Sequence, residues 1–153
     1  MLKLELKIPP LLLTLILGVL MWLLSLCLPT MAVPNLFRIS ISVLILGAGL
    51  VVLVLGVISF KFAGTTVNPM SPDSTSSLVT SGVYRFTRNP MYLGFLLFLV
   101  AWGLFLSSLY SLLLSVLFVF YINKFQITPE EKQLEAVFGK EFKLYVAQVN
   151  RWI

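Results

Sequence analysis

Two short stretches hold most of the groups in this chain that could do chemistry. The first, Gly82 to Gly94 (GVYRFTRNPMYLG), sets Tyr84, Arg85, Arg88, Asn89 and Tyr92 around a proline at the mouth of an apolar segment. Pro90 biases Asn89 away from helical geometry and starts a helix. The unpaired first-turn amides of that helix, with the positive end of its dipole, favour a bound carboxylate or other anion. Arg85 or Arg88 can strengthen that pull. The second stretch is Glu130-Glu131 at the start of a later helix, where one carboxylate turned toward the bundle can meet an ammonium or ribose hydroxyls. Each stretch also has a plainer reading. Arginine and tyrosine routinely anchor membrane helices at the interface, and acids at a helix start are ordinary dipole partners. Asn68, Tyr84, Tyr121, Asn123, Gln126 and Arg151 are weaker candidates, read as helix-end or interfacial polar groups.

Several chemistries are excluded. The chain has no histidine, which removes the commonest general base, most zinc sites and any serine or cysteine machinery that needs imidazole. No metal site is expected. The single cysteine, Cys27, lies in an apolar run and can form no internal disulfide. A net charge of +5 does not indicate nucleic acid, because the basic residues are scattered near helix ends, where lipid headgroups and topology account for them.

The elements that must position these groups are membrane spans. Of 153 residues, 59% are hydrophobic and only 11% charged, against roughly 25% charged in a soluble domain. Mean hydropathy is +1.00. The expected fold is all-α, one integral membrane helical bundle covering 1–153 with about four transmembrane helices and a C-terminal cytoplasmic amphipathic helix. The spans are placed at about 10–28, 36–60, 91–106 and 109–125, with a cytoplasmic loop at 61–89 and a cytoplasmic tail at 126–153. The first run is longer than the ~7–15 apolar residues of a signal peptide and no small-x-small site follows, so it reads as a span. Ser107-Ser108 predicts a tight hairpin between the last two spans. Gly47, Gly49 and Gly56 read as small residues for close helix packing.

Charge then sets orientation. With a cytoplasmic N-terminus, ten of the eleven basic residues and all six acids fall inside, leaving Arg38 alone outside, as the positive-inside rule requires. Every candidate for polar chemistry therefore faces the cytoplasm. The loop is rich in Gly, Pro, Ser and Thr, against regular structure. In the tail, Thr128 is predicted as N-cap and Pro129 as the first helical residue. Leu134, Val137, Phe138, Phe142, Tyr145 and Val149 recur at helical spacing, and Gly139 is expected to weaken or break the helix.

The run Leu78 to Tyr84 (LVTSGVY), followed by Arg88 to Gly94 (RNPMYLG), resembles the isoprenylcysteine carboxyl methyltransferase family, whose hallmark is Arg-His-Pro-x-Tyr. Glu130-Glu131, then Leu134, Phe138-Gly139, Tyr145 and Arg151, resembles the paired-glutamate C-terminal region of the same family. The likeness covers about Gly64 to the C-terminus. It implies a small membrane enzyme that uses S-adenosyl-L-methionine, with the cofactor at the cytoplasmic side and a lipophilic methyl acceptor entering from the bilayer. By position, it implies cofactor contacts from Ser76, Ser77, Leu78, Val79, Tyr84, Asn89, Pro90, Met91, Tyr92 and Glu130. Arg88, Gln126 and Glu131 are further candidates for substrate or cofactor contact, and no residue is assigned a catalytic proton transfer. Three positions depart from the pattern. Asn89 and Ser76 replace histidines, and Gln126 stands where those enzymes carry an arginine that meets the substrate. Glutamine cannot supply that charge, which argues against a prenylcysteine carboxylate as acceptor.

The expected function is methylation of a lipophilic or small acceptor. A phospholipid amine or a thiol as acceptor and a catalytically silent scaffold are the alternatives. Transport is disfavoured because no span carries a mid-membrane charge. Oligomeric state is left open.

Overall fold

A computed structural model describes residues 5–63 and 77–153, and its regular structure there is entirely helical. The helices are α1 (Pro10–Cys27), α2 (Asn35–Phe62), α3 (Pro90–Phe105), α4 (Leu109–Ile122), α5 (Thr128–Phe138) and α6 (Lys140–Gln148). A short 3-10 turn, Gly82–Arg85, precedes α3, and a π-turn, Asn123–Ile127, joins α4 to α5. Prolines open α1 and α3 at a position whose missing amide hydrogen costs nothing. Three helical runs are long and apolar enough to cross a membrane: Pro10–Cys27, Asn35–Phe62 and Leu109–Phe138. At 16 residues, α3 is equally apolar but shorter, about 24 Å of helix against a hydrocarbon core of about 30 Å.

The hairpin at Ser107-Ser108 forms as its residues predict. Ser107 takes a left-handed backbone (φ 51°) to reverse the chain, and the Ser108 hydroxyl caps α4 by accepting from the Ser111 amide at 3.2 Å. The Met31 amide donates to the Ser107 carbonyl at 2.7 Å, joining the α1–α2 connection to this turn.

α3 is the centre of the bundle. α1 and α4 pack on one side of it around Leu13, Leu17, Met21, Tyr92, Leu99, Phe118 and Ile122. On the other side, α2 approaches through glycines. A Cβ on Gly94 would stand 2.9 Å from the Leu53 Cβ and 3.0 Å from the Gly49 carbonyl oxygen, and one on Gly56 would meet Pro90 and Met91. Such close approach is how membrane helices gain contact without a hydrophobic drive. Gly47, expected in that seam, faces open space instead, because it sits on the far side of α2 from Gly49. α1 and α2 both lean on α3, leaving an apolar groove of about 480 Å³ between them, lined by Leu15, Val19, Trp22, Leu46, Phe98 and Trp102 among others.

The last span departs from expectation. Thr128 is not an N-cap: its backbone is helical (φ −62°, ψ −44°) and the helix runs on from Leu109 to Phe138. Pro129 cannot donate to the carbonyl four residues back and its ring crowds it, so the turn widens to a π-turn, with the Thr128 amide and hydroxyl both bonded to the Asn123 carbonyl. The Phe125 carbonyl released by the proline accepts from the Leu6 amide at 3.0 Å, which ties down the N-terminal segment.

Gly139, with φ 51°, separates α5 from α6. The break folds Phe142, Tyr145 and Val149 onto Leu78, Leu134 and Phe138, while Val137 turns out to solvent or lipid.

Candidate functional site

The two sequence stretches meet at one mouth of the bundle. Tyr92 is the third residue of α3, and its hydroxyl donates to the Glu130 carboxyl in the third position of α5. Beyond Phe125 the last helix turns polar, and Glu130 and Glu131 lie on this extension. They are adjacent, so they point about 100° apart around the helix, and their surroundings differ accordingly.

Glu130 faces inward. Burial pushes its carboxyl up to about 8, more than the Tyr92 hydroxyl pulls it back, and no cation pairs with it among the described residues. One turn earlier Gln126 is fully enclosed (1% exposed), close to both Glu130 and Tyr92, and its amide nitrogen has no hydrogen-bond partner among the described residues. An unmade hydrogen bond on a buried donor costs about 1–3 kcal/mol, and the nearness of this amide to the Glu130 carboxyl holds that group's ionisation down in part.

Glu131 faces the other way, into two arginines. Arg88 Nη2 meets its Oε1 at 2.8 Å, and Arg151 Nε donates to Oε1 and Oε2 at 3.0 and 3.1 Å. Burial pushes this carboxyl up, but the hydrogen bonds from Arg151 and Arg88 outweigh it and hold the group below the usual carboxylate range. Arg88 also donates to the carbonyls of Val146, at 3.3 Å, and Val149, while its Nε is buried without a partner. Arg88 is therefore an internal tie, with its side chain only 10% exposed.

The start of α3 is held from beneath. The Asn89 amide donates to Thr87 Oγ1 at 3.1 Å, and the Asn89 side chain donates to the Arg151 carbonyl at 3.0 Å. Tyr84 is buried, its ring edge-on to Phe60 at 5.4 Å, and its carbonyl accepts from the Tyr145 hydroxyl at 2.7 Å. Burial raises the ionisation of Tyr84 out of range and pushes the Tyr145 phenol up to about 12, so both stay neutral. Val79 is buried, Leu78 packs on the tail cluster, and Ser77 donates to the Ala63 carbonyl at 3.1 Å. Ser76 lies outside the described residues.

Sequence reading missed the part played by Thr87, which is 3% exposed and bonds both Asn89 and the Arg151 carbonyl, at 3.1 Å. A hydroxyl two residues before Asn-Pro is a turn signal that could have marked it. It also ranked Arg151 low, since the partners of a terminal arginine are invisible without the fold. Among the described residues no cluster of acids and cysteines could hold a metal ion.

Residues 37–141 match the phospholipid methyltransferase family. An uncharacterized protein of Haemophilus influenzae is 44% identical over 63 residues, 41% of this chain and the whole of that protein. The protein-S-isoprenylcysteine O-methyltransferase of Schizosaccharomyces pombe is 33% identical over 72 residues, covering 47% of this chain and 30% of that one. A probable protein-S-isoprenylcysteine O-methyltransferase of Oryza sativa subsp. indica is 30% identical over 109 residues, 67% of this chain and 57% of the rice protein. The chain thus spans between about a third and just over half of the length of these two methyltransferases. No solved structure matches it.

Proposed function

This chain belongs to the phospholipid methyltransferase family, and from that membership we propose that it is a membrane methyltransferase using S-adenosyl-L-methionine to methylate a lipophilic or small acceptor. The observation that carries the reading is the Tyr92–Glu130 contact, which joins the proline-started helix entrance and the paired glutamates in one polar mouth. In this reading the chain crosses the bilayer four times, α3 completing its passage with the turns at its ends, and both termini and the mouth face the cytoplasm.

The groups at the mouth fit such a cofactor. Glu130, a buried carboxyl with no cation beside it among the described residues, suits its ammonium. The first-turn amides at Met91 and Tyr92, with the unpartnered Arg88 Nε, suit its carboxylate. Ser76, Ser77, Leu78, Val79, Tyr84, Asn89 and Pro90 complete the proposed wall. When bound, S-adenosyl-L-methionine supplies an electrophilic methyl group whose sulfur leaves as a neutral thioether. The protein then has to align donor with acceptor and exclude water, and oriented binding of this kind can lower a barrier by about 7–11 kcal/mol. Neither task needs histidine.

Two observations bear on the acceptor. Tyr92, Phe95, Leu99 and Trp102 recur at three- and four-residue spacing along α3, and the last three line the apolar groove, which supports a hydrocarbon tail lying there with its head toward Tyr92. Gln126 presents a neutral amide beside Glu130, which favours a second reading in which the head is an amine or thiol and not a carboxylate.

The test is direct. Purified protein in detergent gains thermal stability from S-adenosylhomocysteine by mass action and transfers labelled methyl from the cofactor to a component of membrane extract. No stabilisation and no transfer would leave a silent scaffold. Prenylcysteine, phosphatidylethanolamine and a lipophilic thiol, offered separately, rank the acceptor readings.

A further inference from the structure

Three consecutive residues at the end of the tail bind three different parts of the mouth. The Asn150 carbonyl accepts from the Arg88 amide at 3.0 Å. The Arg151 carbonyl accepts from Thr87 Oγ1 and from the Asn89 side chain, while the Arg151 guanidinium grips both oxygens of Glu131. The Trp152 indole donates to Asn123 Oδ1 at 3.2 Å, at the start of the π-turn, and packs on the bundle core. Arg151 is central to this set. Through one residue, the entrance of α3 and the start of α5 are held at a set separation.

We infer that Arg151 is a positioning residue for the cofactor mouth: its guanidinium fixes Glu131, its carbonyl fixes Asn89, and together they hold Glu130 opposite the first turn of α3. The inference rests on the cofactor reading of that mouth. Asn89 spends its side-chain NH2 on a main-chain carbonyl, so its orientation follows wherever Arg151 sits. Glu131 is neutralised by two arginines, so the neighbouring Glu130 meets less like charge than an unpaired glutamate would impose. A planar fork is what gives this grip direction, and lysine, a point charge, lacks it.

The experiment compares Arg151→Ala and Arg151→Lys with the wild type and with Lys143→Ala. The last removes the exposed pair that Lys143 makes with Glu135 at 3.1 Å. Two readouts are taken on full-length protein in detergent: the side-chain amide signal of Asn89 in 15N-asparagine-labelled protein without ligand, and the affinity for S-adenosylhomocysteine. The Asn89 signal moves in both Arg151 variants and stays in Lys143→Ala. Affinity falls about tenfold or more in Arg151→Ala, the scale of a small misplacement of binding groups, with Arg151→Lys in between. An unmoved Asn89 signal overturns the inference, as does unchanged affinity in Arg151→Ala when the wild type binds. If the wild type binds no S-adenosylhomocysteine while the Asn89 signal still moves, the cofactor reading falls and the anchoring of Asn89 stands. If Arg151→Ala does not fold, Arg151→Lys carries both readouts.

Discussion

At one end of the bundle Arg38 lies over the Phe105 ring, 5.6 Å from its centre, and reaches Ser107 Oγ at 3.5 Å. At the other end Arg88 and Arg151 converge on Glu131, and behind them Glu130 meets Tyr92. Arg38 has no acid beside it among the described residues and its Nε is buried without a partner there, while the turn around it is closed by backbone and serine hydroxyls. An interfacial anchor needs no more than this. The opposite end is elaborated well past that requirement. Among the described residues it carries a buried acid without a counter-ion, a buried amide without a hydrogen-bond partner, and a tail folded back to hold both helix starts. Among the same residues a buried guanidinium nitrogen lacks a partner at each end, so an unmade hydrogen bond, costing about 1–3 kcal/mol, does not by itself separate them; the buried acid does. The two ends use the same residue types and differ, among the described residues, in the buried acid and the folded-back tail that the second end carries.

That contrast can be tested by substitution at each end. The largest effect is expected at Glu130. Glu130→Gln keeps shape and removes the carboxylate that a bound ammonium would stabilise, and should weaken S-adenosylhomocysteine binding by on the order of a hundredfold, as loss of a charged hydrogen bond allows. Calorimetric titration checks it, and affinity within threefold of wild type would end the ammonium assignment. Next comes Glu131→Gln, which strands Arg88 inside the mouth. It should cost on the order of 3 kcal/mol of stability, read as a lowered unfolding midpoint.

The two acids should also respond to pH with opposite sign. Glu130 is raised to about 8, so the stability tied to its neutral form is complete below the ordinary carboxylate range and is lost as pH rises through about 8. Glu131 is lowered, so its contribution is present above the ordinary range and is lost as pH falls through the lowered value. Ligand-free wild type should lose stability from Glu130 between about pH 4.5 and about pH 8, a loss that Glu130→Gln lacks; identical pH profiles would contradict the burial of this carboxyl. The smallest effect is expected at the other end. Arg38→Ala should change stability by no more than about 1 kcal/mol and leave ligand affinity untouched, and any loss of binding would show that the ends are not independent.

Much of this was legible beforehand. The apolar runs, the proline start at Pro90, the Ser107-Ser108 reversal and the break at Gly139 each depend on local chemistry, and the structure carries all of them. The expected helix start at Thr128 failed because a proline can be absorbed by widening a turn when another amide, here Leu6, takes up the released carbonyl. That partner lies more than a hundred residues away in sequence. Gly47 failed for a related reason: spacing identifies a small residue but not the side of α2 on which α3 packs.

Composition and local pattern by themselves determined that this chain is a membrane-embedded helical bundle and pointed to one junction and one acidic pair as its candidate polar groups, because hydropathy, proline geometry and charge placement act over a few residues. Only the tertiary structure decided that Glu131 is consumed by two arginines while Glu130 is buried with no cation beside it among the described residues, and that the tail grips the α3 entrance through the Arg151 carbonyl. Adjacent glutamates share one local environment in sequence, and a main-chain carbonyl is the same in every residue. What separates them is the direction each takes once the helices pack.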